Sequence, residues 1–184
     1  MPEYTIVRHC APTLAGLKTG SLIVVFYEDE NQLHRDIKEM NKAHGKKGLS
    51  FVLFSAYGGR ALVYIYRPKK LASDLDKKES REILSRLGYG KCLEMESCIK
   101  RLSCKIRGCK DFPHEVGLFL GFPPEDVKGF IECRGKAFKM CGSWKVYGDT
   151  KTAKKLFREY KSCTCRYLDS LASGKSLEEL IVNI

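Results

Sequence analysis

The sequence has no apolar run approaching the roughly 20 residues that a membrane-spanning helix requires. Its longest apolar run covers residues 22–27 and is followed directly by acidic residues. The first residues also lack the basic, apolar and small-residue order of a signal peptide, because Glu3, Arg8 and His9 interrupt it. We therefore expect a cytoplasmic protein with no membrane span.

Several common catalytic motifs are absent as well. The sequence has no CxxC pair, no glycine-rich phosphate loop, no GxSxG and no HExxH. These absences argue against the commonest NTPases, hydrolases and zinc proteases, and they leave the cofactor unknown. The sequence also has no linker rich in glycine, serine and proline, and no internal repeat. We therefore expect a single globular domain over residues 1–184.

Cysteine, by contrast, is abundant: the chain has nine, an odd number. Without an export pattern, reduced thiols are expected, many of them small buried groups. Cys92, Cys98, Cys104 and Cys109 are five or six residues apart, wider than the spacing of compact zinc or iron–sulfur loops. Free cysteine at this density is easiest to keep in a reducing or anaerobic cytosol, which we advance as a hypothesis.

The chain is basic, with 33 lysines and arginines against 22 acidic residues and a net charge of +11. The basic residues are concentrated at 100–110 and 134–161. Such blocks can contact phosphate groups or an acidic partner. Because no nucleic-acid-binding motif accompanies them, solvated helix faces are the simpler explanation.

Hydrophobic periodicity predicts an α+β fold: a small mixed or antiparallel sheet with a β-hairpin, covered by several helices, and a helical C-terminal half. Residues 21–27 (SLIVVFY) are typical of a buried strand, and the strands predicted at 49–55 and 60–67 flank a turn containing Gly58 and Gly59. A further strand is predicted at 143–147. Helices are predicted at 31–44, 76–87, 93–106, 113–121, from 123, from 150 to 173 and from 176, with capping boxes at Asp76/Glu79 and Ser176/Glu179.

The first segment with unusual polar chemistry is residues 8–14 (RHCAPTL). Proline suits the first position of a helix, so Pro12 predicts a short helix running to Lys18. Cys10 would then lie just outside a helix N-terminus, where backbone N–H groups favour a thiolate. The neighbouring His9 would hold a charge or accept a proton. Three roles stay open for Cys10: a reactive thiol, a buried structural residue or a metal ligand.

The second such segment is residues 112–117 (FPHEVG). Pro113 predicts the start of a helix with His114 and Glu115 in its first turn. There the helix dipole favours an ionised Glu115 and a neutral His114, which could act as a base or a ligand. The alternative is structural, with Glu115 serving the dipole and His114 bonded to a loop carbonyl.

Three segments together carry a family resemblance: residues 9–14 (HCAPTL) with Lys18, residues 112–123 (FPHEVGLFLGFP) and residues 144–149 (WKVYGD). On these residues the chain resembles the bacterial family known as domain of unknown function 3793, found largely in clostridia and related anaerobes. The resemblance runs nearly end to end, and residues 113–115 with 126–130 are its most specific part. It implies a bacterial, single-domain protein and carries over no reaction.

The function expected first is a small-ligand-binding protein or enzyme whose pocket gathers both polar segments. The catalytic candidates are Cys10 as nucleophile, His114 as base and Glu115 as its orienter or a second acid. The ligand-binding candidates are His9, Lys18, Trp144 and Lys145, with Lys18 holding an anion.

Two other functions stay open. His9, Cys10 and His114 could bind a transition metal or haem iron, because imidazole and thiol groups suit zinc or iron better than calcium or magnesium. Alternatively, the basic surface could bind nucleic acid or an acidic protein partner, in which case binding should weaken steeply with salt.

Overall fold

The computed structural model describes residues 1–90, 94–108 and 111–184. The predictions made for Cys92 and Cys109 lie outside this part of the chain. The described residues form two compact units, one made of Met1–Lys70 with Tyr160–Ile184 and the other of Leu71–Glu159. In chain order the elements are α1 (Glu3–Leu14), β1 (Gly20–Phe26), α2 (Glu30–His44), β2 (Ser50–Tyr57), β3 (Arg60–Tyr66), α3 (Pro68–Asp76), α4 (Lys78–Arg86), α5 (Met95–Gly108), α6 (Val116–Phe119), α7 (Pro124–Glu132), β4 (Met140–Cys141), β5 (Lys145–Val146), α8 (Thr150–Ala172) and α9 (Leu177–Leu180).

The first unit contains a three-stranded antiparallel sheet in the order β1-β3-β2. The hairpin between β2 and β3 turns at Gly58 and Gly59, whose φ angles of 57° and 74° are ones that glycine adopts readily. This confirms the predicted hairpin and, together with the surrounding helices, the α+β class.

One face of this sheet forms the core of the first unit. The side chains of Ile23, Val63 and Ile65 are almost fully buried there. Helices α1 and α2 pack against the sheet, and the buried side chains of α9 join the same core. The buried helical residues are Ile6, Val7, Cys10, Leu14, Leu33, Leu177 and Leu180.

The predicted helix start at Pro12 is wrong. Helix α1 begins at Glu3 and continues through Pro12 to Leu14. Proline inside a helix removes one backbone hydrogen bond and is usually unfavourable by ~3 kcal/mol. Here the burial of an apolar stripe along the whole helix outweighs that local preference, and Pro12 lies close enough to the C-terminus to disturb only the last turn.

A buried arginine holds the C-terminal end of α1. The Arg67 side chain is 1% exposed. Its Nε donates to the carbonyl of Thr13 at 2.9 Å, and Nη2 donates to the carbonyl of Leu14. Nη1 donates to the carbonyl of Lys47 at 2.6 Å. A cation at this position meets the negative end of the helix dipole and joins α1 to the end of β3.

The second unit consists of helices and a small antiparallel hairpin, in which Met140 pairs with Val146. The strand predicted at 143–147 is confirmed as β5, whereas its partner β4 was not foreseen. Helix α7 begins at Pro124 as predicted. Helix α6 begins only at Val116 and has four residues, so the predicted helix start at Pro113 is wrong.

The capping predictions had mixed outcomes. Ser176 and Glu179 form the expected reciprocal capping box at α9. Asp149 precedes α8 and accepts from the Lys151 N–H at 2.8 Å, as the predicted helix start requires. The box at Asp76 is wrong, because this residue ends α3 and its carboxylate pairs with Arg81. None of the helices in the described part of the chain combines the length and the apolar character needed to cross a membrane.

Candidate functional site

The first polar segment lies entirely in the first unit. His9 is exposed, whereas Cys10, one position further along α1, has no exposed surface. Burial raises the pKa of the Cys10 thiol to about 12, although the charge of Lys18 and a hydrogen bond with Ser21 oppose this. Burial also lowers the pKa of Lys18 to about 8. The structure thus brings Lys18 near Cys10 and places the thiol in the environment of a core residue.

Glu115 of the second polar segment is buried in the second unit, with 4% of its surface exposed. Its Oε1 accepts from Lys105 Nζ at 2.6 Å and from the Tyr89 hydroxyl at 3.1 Å. Lys105 also donates to the carbonyl of Leu87 at 3.0 Å. Burial, followed by the charge of Glu115, raises the pKa of Tyr89.

These contacts revise the expected role of the helix dipole. Glu115 and His114 lie in the turn before α6, and Lys105 and Tyr89 supply the polar partners of the Glu115 carboxylate. The carboxylate therefore ties the 112–117 segment to α5 and to the chain after α4. His114, by contrast, is exposed, and its ring meets the Phe130 ring edge-on, with 4.8 Å between the ring centroids.

A cavity of about 310 Å³ opens beside His114, entirely within the second unit. This volume lies at the lower end of the range of small-molecule sites. Four aromatic rings form much of its wall: Phe112, Phe122, Phe130 and Trp144. The polar lining residues are His114, Asp126, Cys141, Ser143 and Lys145.

Trp144 is held rigidly in this wall. Its Nε1 donates to Oδ2 of Asp126 at 2.7 Å. Phe122 stacks on the indole with 4.7 Å between centroids, and Phe157 meets it edge-on at 4.5 Å. Both distances are typical of favourable aromatic pairs. The indole therefore needs little reorganisation to serve as one side of a binding site.

Asp126 also organises the chain that follows β5. Its carboxylate is 3% exposed, and Oδ1 accepts from the backbone N–H of Tyr147 at 2.7 Å and of Gly148 at 2.8 Å. With the bond from Trp144, three N–H donors satisfy this buried charge, as burial of a carboxylate demands. Asp126 is thus a positioning residue for the cavity wall.

Lys145 follows Trp144 and lines the same cavity. Its Nζ donates to the carbonyl of Gly135 at 2.7 Å. The ammonium lies 5.6 Å from the centroid of the Phe130 ring and 4.9 Å from that of Phe138, within the range of cation–π attraction. These contacts place a positive charge next to the aromatic wall.

The structure brings together three of the predicted site residues, His114, Trp144 and Lys145, in one cavity. The candidates His9, Cys10 and Lys18 belong to the other unit. Across the described part of the chain, no group of three or more His, Cys, Asp or Glu side chains is placed to hold a metal ion.

Sequence reasoning missed Asp126 and Phe130 as site residues. Both lie in the 126–130 segment, which carries part of the family resemblance, and that was the signal available. Lys105 and Tyr89 were missed because nothing in their local sequence indicates the buried carboxylate that they contact.

A family model described as a protein of unknown function (DUF3793) matches residues 6–181. No curated protein and no solved structure matches the chain.

Proposed function

The chain belongs to the DUF3793 family, as its motifs indicated, and we propose that its second unit binds a small planar aromatic molecule. The observation that carries this proposal is the cavity of about 310 Å³ walled by Phe112, Phe122, Phe130 and Trp144. Flat aromatic ligands gain more from such walls than aliphatic ones, because offset stacking and edge-to-face contacts add to simple burial.

The rigidity of the wall supports the proposal. The hydrogen bond from Trp144 to Asp126 and the flanking rings of Phe122 and Phe157 already hold the indole in place. Binding to a preformed wall loses less side-chain entropy than binding to a mobile one. The polar groups of His114 and Ser143 at the same cavity can orient the ligand through hydrogen bonds.

The proposed setting is the reducing cytoplasm of an anaerobic bacterium. The seven cysteines that the structure describes are all free thiols, and Cys10, Cys98 and Cys163 among them are buried. The prediction is that rapid alkylation of freshly lysed cells, followed by mass spectrometry, finds nine reduced cysteines. Disulfides among them would contradict this setting.

Ligand binding can be measured through Trp144, because it is the only tryptophan in the chain. The emission is excited at the red edge of the indole band, where phenyl compounds do not absorb. Phenylacetamide is the aromatic probe, and cyclohexylacetamide is the aliphatic control of matching size. Saturable quenching or a shift of the emission by phenylacetamide, with a much weaker effect of cyclohexylacetamide, is the expected result.

Two variants locate the binding. Phe130→Leu removes a ring from the cavity wall, whereas Phe138→Leu removes a ring that also contacts Lys145 but does not line the cavity. We expect Phe130→Leu to weaken phenylacetamide about fivefold, as the loss of one aromatic contact implies, and Phe138→Leu to leave it unchanged. Equal effects of both variants, or an unaltered emission with every aromatic probe up to its solubility limit, would refute the proposed site.

A further inference from the structure

Resting on the proposed function, we infer that the ligand is an aromatic acid, and that Lys145 binds its anionic group. The anion is a carboxylate or a phosphate, since both are recognised by the same ammonium chemistry. The inference depends on how Lys145 is held and on the charges around it.

The ammonium of Lys145 is fixed in place but only partly satisfied. Of its three N–H donors, one is used by the carbonyl of Gly135 at 2.7 Å. Within the described residues, that carbonyl is its one hydrogen-bond acceptor, and no carboxylate lies within salt-bridge distance. The rings of Phe130 and Phe138 hold the ammonium from the side. Two donors therefore stay available at the cavity.

The loop that carries Gly135 adopts a conformation that must be held in place. Arg134 and Ala137 have φ angles of 50° and 55°, although neither is glycine. Residues with side chains rarely adopt this region, so the surrounding contacts have to maintain it. Two hydrogen bonds hold the loop: Lys145 Nζ donates to the carbonyl of Gly135, and the Tyr147 hydroxyl donates to the carbonyl of Lys136 at 2.9 Å. The strained loop and the lysine thus position each other.

The charges of this region favour an anion. Residues 133–148 contain four cations and no acidic residue. Arg134, Lys136 and Lys139 of this stretch are exposed. The acidic residue that the structure describes in the cavity wall is Asp126, and three N–H donors already engage its carboxylate. A bound anion would therefore meet a surplus of positive charge.

Three probes that share a phenyl ring and differ in charge test whether an anionic group strengthens binding. Phenylacetate carries a carboxylate, phenyl phosphate carries a phosphate, and phenylacetamide has no charge. The emission of Trp144 reports all three. We expect at least one anionic probe to bind roughly tenfold more tightly than phenylacetamide, as a charge-assisted hydrogen bond implies, and to weaken with added salt. The tighter of the two anions identifies the group.

Substitutions at Lys145 assign the effect to this residue. Lys145→Met should abolish the advantage of the anionic probe over phenylacetamide, while Lys145→Arg should retain that advantage. Lys128→Met is the matched control, since it removes one positive charge from an exposed site on α7 that does not line the cavity. Circular dichroism establishes that each variant is folded.

The outcomes distinguish this inference from the proposed function. If phenylacetamide binds as tightly as both anions, or if Lys145→Met and Lys128→Met have equal effects, the aromatic site stands and the assignment to Lys145 is overturned. If none of the three probes alters the emission, the aromatic site itself is refuted, and the inference falls with it.

Discussion

The indole of Trp144 and the carboxylate of Asp126 are joined by a buried hydrogen bond of 2.7 Å. Trp144 directly precedes β5, and Asp126 lies in α7, 18 positions earlier in the chain. The same carboxylate also receives two backbone N–H bonds from the chain after β5. One side chain therefore holds both the aromatic wall of the cavity and the segment that follows it.

Asp126→Asn should destabilise the protein by about 1–3 kcal/mol. Both carboxylate oxygens of Asp126 accept from N–H groups, and the asparagine NH₂ group that replaces one of them would be a donor facing a donor. The indole should also become more accessible, which is measured by acrylamide quenching of Trp144. Glu125→Gln is the control, since this neighbouring side chain is exposed. Equal quenching of both variants would show that Asp126 does not hold the indole.

The pair formed by Glu115 and Lys105 should be strongly coupled. Lys105→Met leaves a buried carboxylate with Tyr89 as its other side-chain partner, so we expect a loss of about 3 kcal/mol in the free energy of unfolding. The double variant Lys105→Met/Glu115→Gln should lose less than the sum of the single changes. Urea denaturation measures all three, with Lys100→Met on the exposed side of α5 as the control. Additive losses would mean that the ion pair contributes nothing.

Cys10 should behave as a core thiol. With its pKa raised to about 12 and no exposed surface, it should resist alkylation in the native protein at mildly alkaline pH. Among the seven cysteines that the structure describes, mass spectrometry of the alkylated protein should find Cys104, Cys133, Cys141 and Cys165 modified first, because these four are exposed.

Substitution of Cys10 gives a second measure of the same role. Cys10→Ala should lower the free energy of unfolding by about 1–2 kcal/mol through the small cavity that it leaves. Cys104→Ala, at an exposed position, is the control. Preferential alkylation of Cys10, together with an unchanged stability of Cys10→Ala, would instead indicate a reactive thiol.

Lys18 should make stability depend on pH. Its pKa is about 8 in the folded protein against an ordinary value of 10.5, so above pH 8 the unfolded chain binds more protons than the folded one. The free energy of unfolding should therefore rise with pH in this range. Above 9.0 the Cys10 thiol acts in the opposite direction, because the folded protein keeps a proton that the unfolded chain releases.

Between pH 8 and 9.0 the buried thiols of Cys10, Cys98 and Cys163 already oppose this rise, because burial raises the pKa of each in the folded protein. The contribution of Lys18 is therefore the difference between the wild-type protein and Lys18→Met. Chemical denaturation across this window should give a free energy of unfolding that rises more steeply with pH for the wild-type protein than for Lys18→Met. Lys42→Met, at an exposed position on α2, should keep the rise. Equal slopes for the wild-type protein and Lys18→Met would show that Lys18 titrates normally.

Local patterns predicted much of the fold. Gly58 and Gly59 indicated the hairpin, because the turn requires positive φ angles that glycine adopts. Asp149 and Ser176 indicated the starts of α8 and α9 through their ability to cap backbone N–H groups. The helix start predicted at Pro12 was wrong, because the burial of the apolar side of α1 outweighs the preference of proline for the first turn of a helix.

The candidate site was predictable only in its parts. His114, Trp144 and Lys145 attracted attention as residue types in a family-like motif, but their sequence positions say nothing about a shared cavity. Glu115 was expected to serve a helix dipole and instead binds Lys105. Asp126 had no assigned role, because its three donors lie 18 to 22 residues further along the chain.

By itself the sequence determined the α+β class, most helix and strand positions and the family, since these depend on residue periodicity, capping and turn chemistry over a few neighbouring residues. Tertiary structure alone decided that Cys10 is buried beside Lys18, that Glu115 is tied to Lys105, and that aromatic rings meet Lys145 around one cavity. The physical reason is that burial and ion pairing depend on which distant segments pack together, and local preferences do not specify that packing.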